Sequence, residues 1–110
     1  MMDEHEFQKR CDEAFEALNK RLAEAGDAHG FDVESGSGKL EIEFDDDDST
    51  RFVISPQTPV RQIWISALTT SFKLGWSDAA KAFVLEKTGE NLNQLMSRIL
   101  SEQLGERVEV

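Results

Sequence analysis

The stretch Lys39-Leu40-Glu41-Ile42-Glu43-Phe44 determines the fold. Charged and apolar side chains alternate strictly along it, which is typical of a β-strand with one face in the core and one in water. The next apolar stretch, Arg51-Phe52-Val53-Ile54, predicts a second strand, and the acidic run between them predicts a hairpin tip. Hairpin neighbours are antiparallel, so we expect an antiparallel sheet that is covered on one face only.

Three further strands are expected beyond this hairpin, over residues 61–66, 72–76 and 82–85. They alternate apolar and polar residues or carry short apolar runs. Pro56 and Pro59 precede them. Since proline donates no backbone hydrogen bond, these two residues predict a rigid turn outside any strand interior.

A helix is predicted upstream of the strands, from about Asp3 to Ala25. Its apolar residues recur at three- and four-residue steps, which indicates one buried stripe. The stripe consists of Phe7, Cys11, Ala14, Phe15, Leu18, Leu22 and Ala25. Gly26 follows directly and is expected to end the helix.

A second helix is predicted at the other end of the chain, from about Leu92 to Leu104. Asn91 and Gln94 have the spacing of a capping box, and Gly105 is expected to end the helix. The order of helix, strands and helix predicts an α+β fold. We expect a two-layer α/β sandwich, with two helices packed on one face of an antiparallel β-sheet, as a single domain over residues 1–110.

The composition limits the classes of partner. The 110 residues include 22 acidic and 12 basic ones, for a net charge of −10, and residues 1–50 hold 16 of the acidic residues against 5 basic ones. Nucleic acids and anionic membranes repel such a chain. The single Cys11 excludes an intramolecular disulfide and suits a reducing compartment. With no long apolar run and an acidic beginning, we expect a cytoplasmic protein without a targeting peptide.

The sequence lacks the motifs of common enzymes. It has no P-loop, no dinucleotide-binding glycine pattern, no nucleophile elbow and no Cys or His pair at zinc spacing. His5 in a terminus and His29 in an expected loop are interpreted as solvent-exposed side chains. Cys11 lies on the buried stripe, where we favour an inert thiol over a reactive one. We therefore expect a protein that is not an enzyme.

The outer side of the first helix is acidic. Opposite the apolar stripe lie Glu6, Asp12, Glu13, Glu16, Glu24 and Asp27. This surface is either an ordinary solvated face or a weak carboxylate site for Ca²⁺, Mg²⁺, Mn²⁺ or iron. The Asp45-Asp46-Asp47-Asp48 run could bind cations similarly, but we favour a solvated turn there.

Trp64 is the second candidate feature. Ile63 and Ile65 must face the helices, so strand alternation places Trp64 on the uncovered face of the sheet. An aromatic residue within a polar surface is typical of a protein-binding hot spot. The alternative is that Trp64 lies flat on a neighbour such as Arg51 or Val53, with a cation–π contact.

Three segments together resemble the frataxin family, including its bacterial CyaY-type members. The segment Gln57-Thr58-Pro59-Val60-Arg61-Gln62-Ile63-Trp64 is similar to the signature strand of that family. Upstream, Phe31-Asp32-Val33-Glu34-Ser35-Gly36-Ser37-Gly38-Lys39-Leu40 resembles the stretch that enters the first strand. Downstream, Gly89-Glu90-Asn91-Leu92 matches the turn into the last helix. The resemblance covers nearly the whole chain, in the right order.

The resemblance implies a small acidic protein that binds iron weakly, as Fe²⁺ or Fe³⁺, and acts in iron–sulfur cluster assembly. It implies docking on a cysteine desulfurase and an iron–sulfur scaffold protein, as iron chaperone or regulator, and a monomer that iron can drive into oligomers. The implied iron ligands are Asp12, Glu13, Glu16, Glu24, Asp27 and Asp32. The implied partner contacts are Gln57, Gln62, Trp64 and Lys73.

Some residues depart from the family pattern, and two other functions stay open. Lys20 and Ala23 stand where relatives tend to carry acids, which predicts a thinner acidic surface. One alternative function is weak ferroxidase activity, with iron detoxification, at the surface carboxylates. The other is an acidic protein-interaction module that binds no metal.

Overall fold

The computed structural model describes residues 2–36, 38–45 and 47–110, and the side chains of these residues except 47–49. Within them the helices are α1 (Glu4–His29) and α2 (Leu92–Leu104). The strands are β1 (Phe31–Gly36), β2 (Lys39–Phe44), β3 (Asp47–Gln57), β4 (Gln62–Ala67), β5 (Thr70–Ser77) and β6 (Ala82–Leu85). Neither helix is long and apolar enough to cross a membrane.

The six strands form one antiparallel sheet in the order β1-β2-β3-β4-β5-β6. Alternate residues of the inner strands point to one face and are fully buried, among them Ile42, Phe52, Ile54, Ile63 and Ile65. The helices contribute Phe7, Leu18, Leu22, Leu95 and Ile99 to the same core. The chain is therefore a two-layer α+β sandwich with both helices on one face of the sheet, as the sequence predicts.

Helix α1 ends later than the sequence predicts. It begins after Asp3, whose carboxylate accepts a hydrogen bond of 2.8 Å from the Glu6 backbone N–H. It then continues past Gly26 to His29, and Gly30 ends it with a φ of 81°. The prediction that Gly26 ends the helix was wrong, because the left-handed position falls four residues later. His29 accordingly lies in the last turn of α1 and not in a loop.

Strand β1 was not predicted from the sequence. Its residues pair with β2 over the full length, from Phe31 opposite Phe44 to Gly36 opposite Lys39. Only Phe31 is buried in this strand, so its apolar alternation is too weak to reveal it. The two-residue connection to β2 fits the tight turn predicted by Gly36 and Gly38, although Ser37 lies outside the described residues.

The prediction that Pro56 lies outside any strand was also wrong. Pro56 belongs to β3 and pairs with Ile63 of β4. The pairing of β3 with β2 stops at Ile54, so at Pro56 the strand has a neighbour on one side only. An edge position of this kind tolerates proline. Pro59 lies in a turn of 3-10 helix, Thr58–Val60.

Several elements match their predicted positions. Helix α2 has the predicted bounds, and its capping box joins Asn91 and Gln94 in both directions, at 2.8 and 2.9 Å. Gly105 ends it with a φ of 67°. In the predicted β2–β3 hairpin Phe44 pairs with Asp47. Of the aspartate run at its tip, Asp46 lies outside the described residues.

Candidate functional site

Trp64 lies on the face of the sheet that the helices leave open. Its strand neighbours Ile63 and Ile65 are completely buried on the opposite face, whereas Trp64 is only partly buried. The indole Nε1–H donates a hydrogen bond of 2.8 Å to Gln62 Oε1. Lys73 Nζ lies 4.8 Å from the centroid of the Trp64 ring. The Gln62 side-chain amide and the Lys73 ammonium group therefore both contact the Trp64 indole.

Strand register brings the four predicted partner contacts together. Trp64 of β4 lies opposite Ser55 of β3 and Lys73 of β5, while Gln57 lies opposite Gln62. Gln57 also donates a hydrogen bond of 3.3 Å to Ser55 Oγ. The cation–π contact that was the alternative interpretation for Trp64 is present, with Lys73 rather than Arg51 as its partner. We call Gln57, Gln62, Trp64 and Lys73 the indole patch.

The acidic residues of α1 lie in water, as predicted. Asp12, Glu13 and Glu16 are exposed and occupy neighbouring turns. The Gln8 amide donates a hydrogen bond of 2.9 Å to Asp12 Oδ1, and Arg10 Nη1 lies 3.5 Å from Glu13. Two of the three carboxylates are thus already engaged by local partners.

The predicted iron ligands do not form one cluster. Glu24 lies twelve positions after Asp12, which is about 18 Å along a helix, and Asp27 lies one turn further. Asp32 belongs to β1, opposite Glu43. Across residues 2–36, 38–45 and 47–110, no three His, Cys, Asp or Glu side chains come close enough to hold a metal ion. The acidic surface offers separate carboxylates rather than a preformed cage.

A shallow groove of about 260 Å³ runs between α1 and the end of the β1–β2 hairpin. Asp12, Glu16 and Asn19 line its helix side, and Ser35 and Lys39 line its strand side. Sequence reasoning could not find this groove, because it depends on β1.

Two pairs of carboxylates face each other on the first hairpin. Asp32 lies opposite Glu43, and Glu34 lies opposite Glu41. The cation Arg51 lies 2.9 Å from Glu43 and 3.9 Å from Glu41, and Lys39 lies 3.3 Å from Glu41. Arg51 and Lys39 therefore form ion pairs with the carboxylates of β2 and not with those of β1. Like charges directly opposite each other destabilise a sheet. The only sequence signal was the alternation of Asp32, Val33 and Glu34.

The structure confirms the predicted burial of Cys11 but not the predicted exposure of His29. Cys11 is 1% exposed, and burial, with a smaller effect of the Asp12 charge, raises the pKa of its thiol to about 12. The thiol is therefore protonated and unreactive at neutral pH. The prediction that His29 is exposed was wrong, because this side chain is partly buried, and its Nδ1 lies 3.5 Å from Glu106 Oε2.

A comparison with known families identifies the family of this chain. The profile of the frataxin-like domain matches residues 1–106, almost the entire chain. The chain belongs to the frataxin family.

Bacterial relatives in the frataxin family agree with this assignment. A protein of Pseudomonas putida strain GB-1 is 28% identical over 108 residues, covering 98% of this chain and 94% of its own. A protein of Azotobacter vinelandii is 30% identical over 78 residues, covering 71% of this chain and 69% of its own. Both relatives are named iron–sulfur cluster assembly protein CyaY.

Solved frataxin structures share the fold. Frataxin from Psychromonas ingrahamii superposes with a TM-score of 0.82 at 20% identity, covering 98% of this chain and 97% of its own. Trimeric frataxin from Saccharomyces cerevisiae, complexed with ferrous iron, gives a TM-score of 0.72 at 22% identity, covering 88% of this chain and 87% of its own. Because the sequence identities are low, these superpositions show only that this chain has the frataxin fold.

Proposed function

We propose that this protein is an accessory of iron–sulfur cluster assembly in the cytoplasm. It docks on a complex of cysteine desulfurase and scaffold protein and handles iron as weakly bound cargo. It acts there as an iron chaperone or as a regulator of the complex. The proposal rests on membership of the frataxin family and on the naming of bacterial relatives as iron–sulfur cluster assembly proteins.

The indole patch is the observation that carries the docking proposal. Trp64 is a large aromatic side chain on the open face, and its indole is held by a hydrogen bond to Gln62 and a contact with Lys73. An aromatic anchor that is already ordered loses little side-chain entropy when a partner binds. We assign the contact with the scaffold protein to Gln57, Gln62, Trp64 and Lys73.

The acidic surface of α1 and β1 supports the iron proposal. Carboxylates without imidazole or thiolate suit hard or borderline cations, and Fe²⁺ is low in the affinity order of divalent metals. We assign weak iron binding to Asp12, Glu13, Glu16, Glu24, Asp27 and Asp32. The same surface attracts a basic surface on the desulfurase through long-range electrostatics. We expect a monomer without metal, because the charge of −10 makes copies repel.

A second candidate is an acidic interaction module that binds no metal. The absence of a three-ligand cluster among the described residues favours it over a ferroxidase, which needs closely spaced iron ligands. The two candidates differ in whether iron changes the affinity for the partner. The iron dependence of partner binding therefore distinguishes the two candidates.

The test is a binding assay with the cognate desulfurase and scaffold, with and without Fe²⁺ under anaerobic conditions. Trp64→Ala should weaken binding by more than about 1–2 kcal/mol, the loss typical of a hot-spot residue. Ser66→Ala, on the same face of the same strand, is the matched control and should change little. Equal binding of wild type and Trp64→Ala would remove the indole patch from the interface. Equal affinity with and without Fe²⁺ would favour the metal-free module.

A further inference from the structure

The two edges of the sheet differ in whether another strand can join them. Strand β6 is closed by the chain itself, since Val84 forms a bridge with Asn91 and the Leu85 N–H donates to the Glu90 carbonyl at 2.8 Å. Strand β1 pairs with β2 on one side, and no other strand of the described residues lies on its other side. An open edge of this kind is a template for strand addition.

The outward backbone groups of β1 can be assigned from the register. Asp45 N–H donates to the Gly30 carbonyl at 3.1 Å, so Gly30 begins the hydrogen-bonded series towards β2. Because this series alternates in an antiparallel pair, Val33 and Ser35 point their N–H and C=O groups away from β2. No hydrogen bond from the described residues of α1 reaches the backbone of either residue. We call this outward stretch, residues 33–36, the β1 edge.

A groove borders the β1 edge on its helix side, at the end of the β1–β2 hairpin. The groove of about 260 Å³ separates the hairpin end from Asp12, Glu16 and Asn19 of α1, and Gly38, Lys39 and Leu40 line it together with Ser35 and Gly36. At the other end of the strand the position is closed, because α1 passes directly over the Phe31 carbonyl at Gly26. An added strand would therefore pair with residues 33–36 and have the groove on its helix side.

Charge specifies the occupant. Asp32 and Glu34 lie on the open-face side of the β1 edge and form no ion pair with any described residue. Asp12 and Glu16 lie on the helix side of the same position. A second copy of this chain would bring its own Asp32 and Glu34 against these carboxylates and would be repelled. A strand with lysine or arginine at alternate positions would place these cations on the open-face side, next to Asp32 and Glu34.

We propose that the β1 edge accepts an extended, basic segment of a partner protein as a seventh strand. Backbone hydrogen bonds to Val33 and Ser35 give the pairing, and basic side chains next to Asp32 and Glu34 give the selectivity. This inference extends the proposed function by stating how a basic partner docks. It shares Asp12, Glu16 and Asp32 with the proposed iron ligands, but it requires no metal and does not involve the indole patch.

The test uses the metal-free protein and a blocked hexapeptide in which lysine and valine alternate, followed by amide NMR. In the complex, hydrogen exchange of the Ser35 amide should slow at least tenfold, since that N–H gains an acceptor. A peptide that alternates glutamate and valine should not bind. Absence of lysine-peptide binding, or equal binding of the glutamate peptide, would overturn the proposal. The assay contains no iron, desulfurase or scaffold, so its result is separate from that of the proposed function.

Two variants separate strand pairing from general attraction. Ser35→Pro removes only an outward donor, and it should weaken binding at least tenfold, whereas Ser35→Ala should stay within about twofold. Glu34→Gln should weaken binding several-fold, while the exposed Glu86→Gln, away from this edge, should not. Undiminished binding by Ser35→Pro would overturn strand addition. If Ser35→Pro fails to fold, a lysine peptide N-methylated at alternate positions must lose binding instead, and retained binding would overturn the proposal.

Discussion

Gly26 lies so close to Phe31 that no side chain fits between them. A Cβ atom built on Gly26 would stand 2.4 Å from the Phe31 backbone oxygen. This contact is where α1 passes over the first residue of β1, and it sets the distance between the two layers at this corner. Backbone atoms cannot rotate away, so relief of the clash requires a shift of α1 or of β1.

Gly26→Ala should therefore destabilise the protein by about 2 kcal/mol or more, the range seen for overpacked sites. The sign is unusual, because alanine in an ordinary helix interior stabilises by about 1 kcal/mol relative to glycine. Urea unfolding measures the difference. Gly75→Ala is the control, since its Cβ would meet no atom within 4 Å. An unchanged or higher stability of Gly26→Ala would contradict the close packing of α1 on β1.

The connection between β4 and β5 holds two non-glycine residues with positive φ, Leu68 at 53° and Thr69 at 61°. Ala67 and Thr70 pair on either side of them, so this is a two-residue hairpin of the kind that prefers Asn-Gly. Thr69 is exposed, and its β-branched side chain is strained in the left-handed region.

Thr69→Gly should stabilise the protein by about 0.5–1 kcal/mol, because relief of strain exceeds the entropy cost of glycine. Thermal and urea unfolding both test the change. The neighbouring Thr70→Gly has the same chemistry within strand β5, where glycine should cost about 1 kcal/mol. If both variants lose stability equally, the turn geometry is not the source of strain.

The elements that sequence reasoning predicted are those whose signal is local. Strand β2 shows strict alternation, and α2 carries its capping box and its terminal glycine within 15 residues, so both were predicted with their bounds. Strand β1 carries one buried residue, Phe31, and owes its existence to pairing with β2. The predicted end of α1 was wrong because Gly26 makes a close tertiary contact with Phe31. No local sequence pattern reveals that contact.

The candidate site likewise has features that follow from local sequence patterns and features that depend on contacts between strands. The side of the sheet on which Trp64 lies followed from alternation with Ile63 and Ile65. Its cation partner did not follow, since Lys73 reaches the indole only through the β4–β5 register. The opposed carboxylates on β1 and β2 were missed for the same reason. Register between strands is a long-range property, which single-strand patterns do not reveal.

Glu90 and Arg98 form a pH-dependent link between the β6–α2 turn and α2. Arg98 donates to both Glu90 carboxylate oxygens, at 2.9 and 3.0 Å. This hydrogen bonding, with a further bond from Thr88, lowers the pKa of Glu90 below its ordinary value of 4.5. A lowered carboxyl pKa contributes stability above the unfolded-state value, and that contribution is lost as the pH falls through the folded-state value.

Glu90→Gln should therefore cost up to about 1 kcal/mol at pH 7, as for a partly exposed pair. The difference from wild type should shrink as the pH falls below 4.5 and the wild-type carboxylate is protonated. Urea unfolding at pH 7 and pH 3 measures both values. Glu102→Gln removes a weaker contact of the same Arg98, at 3.7 Å, and should change stability less at either pH. A cost of Glu90→Gln that grows in acid would contradict the lowered pKa.

Iron binding should begin at the N-terminal half of α1. Asp12 and Glu16 are one helical turn apart, next to Glu13, and both line the groove between α1 and the hairpin. Glu24 and Asp27 lie further along the helix and do not line this groove. Anaerobic Fe²⁺ titration should thus broaden the amide NMR signals of residues 12, 13 and 16 before those of 24 and 27. Half-molar salt should weaken binding several-fold, because exposed charges are screened within a few ångströms.

A double Asp12→Asn and Glu16→Gln variant should lose this first phase, and a double Glu24→Gln and Asp27→Asn variant should keep it. If the amides of β1 and β2 broaden first, the opposed carboxylates Asp32 and Glu43 are the iron site, and α1 serves protein docking alone.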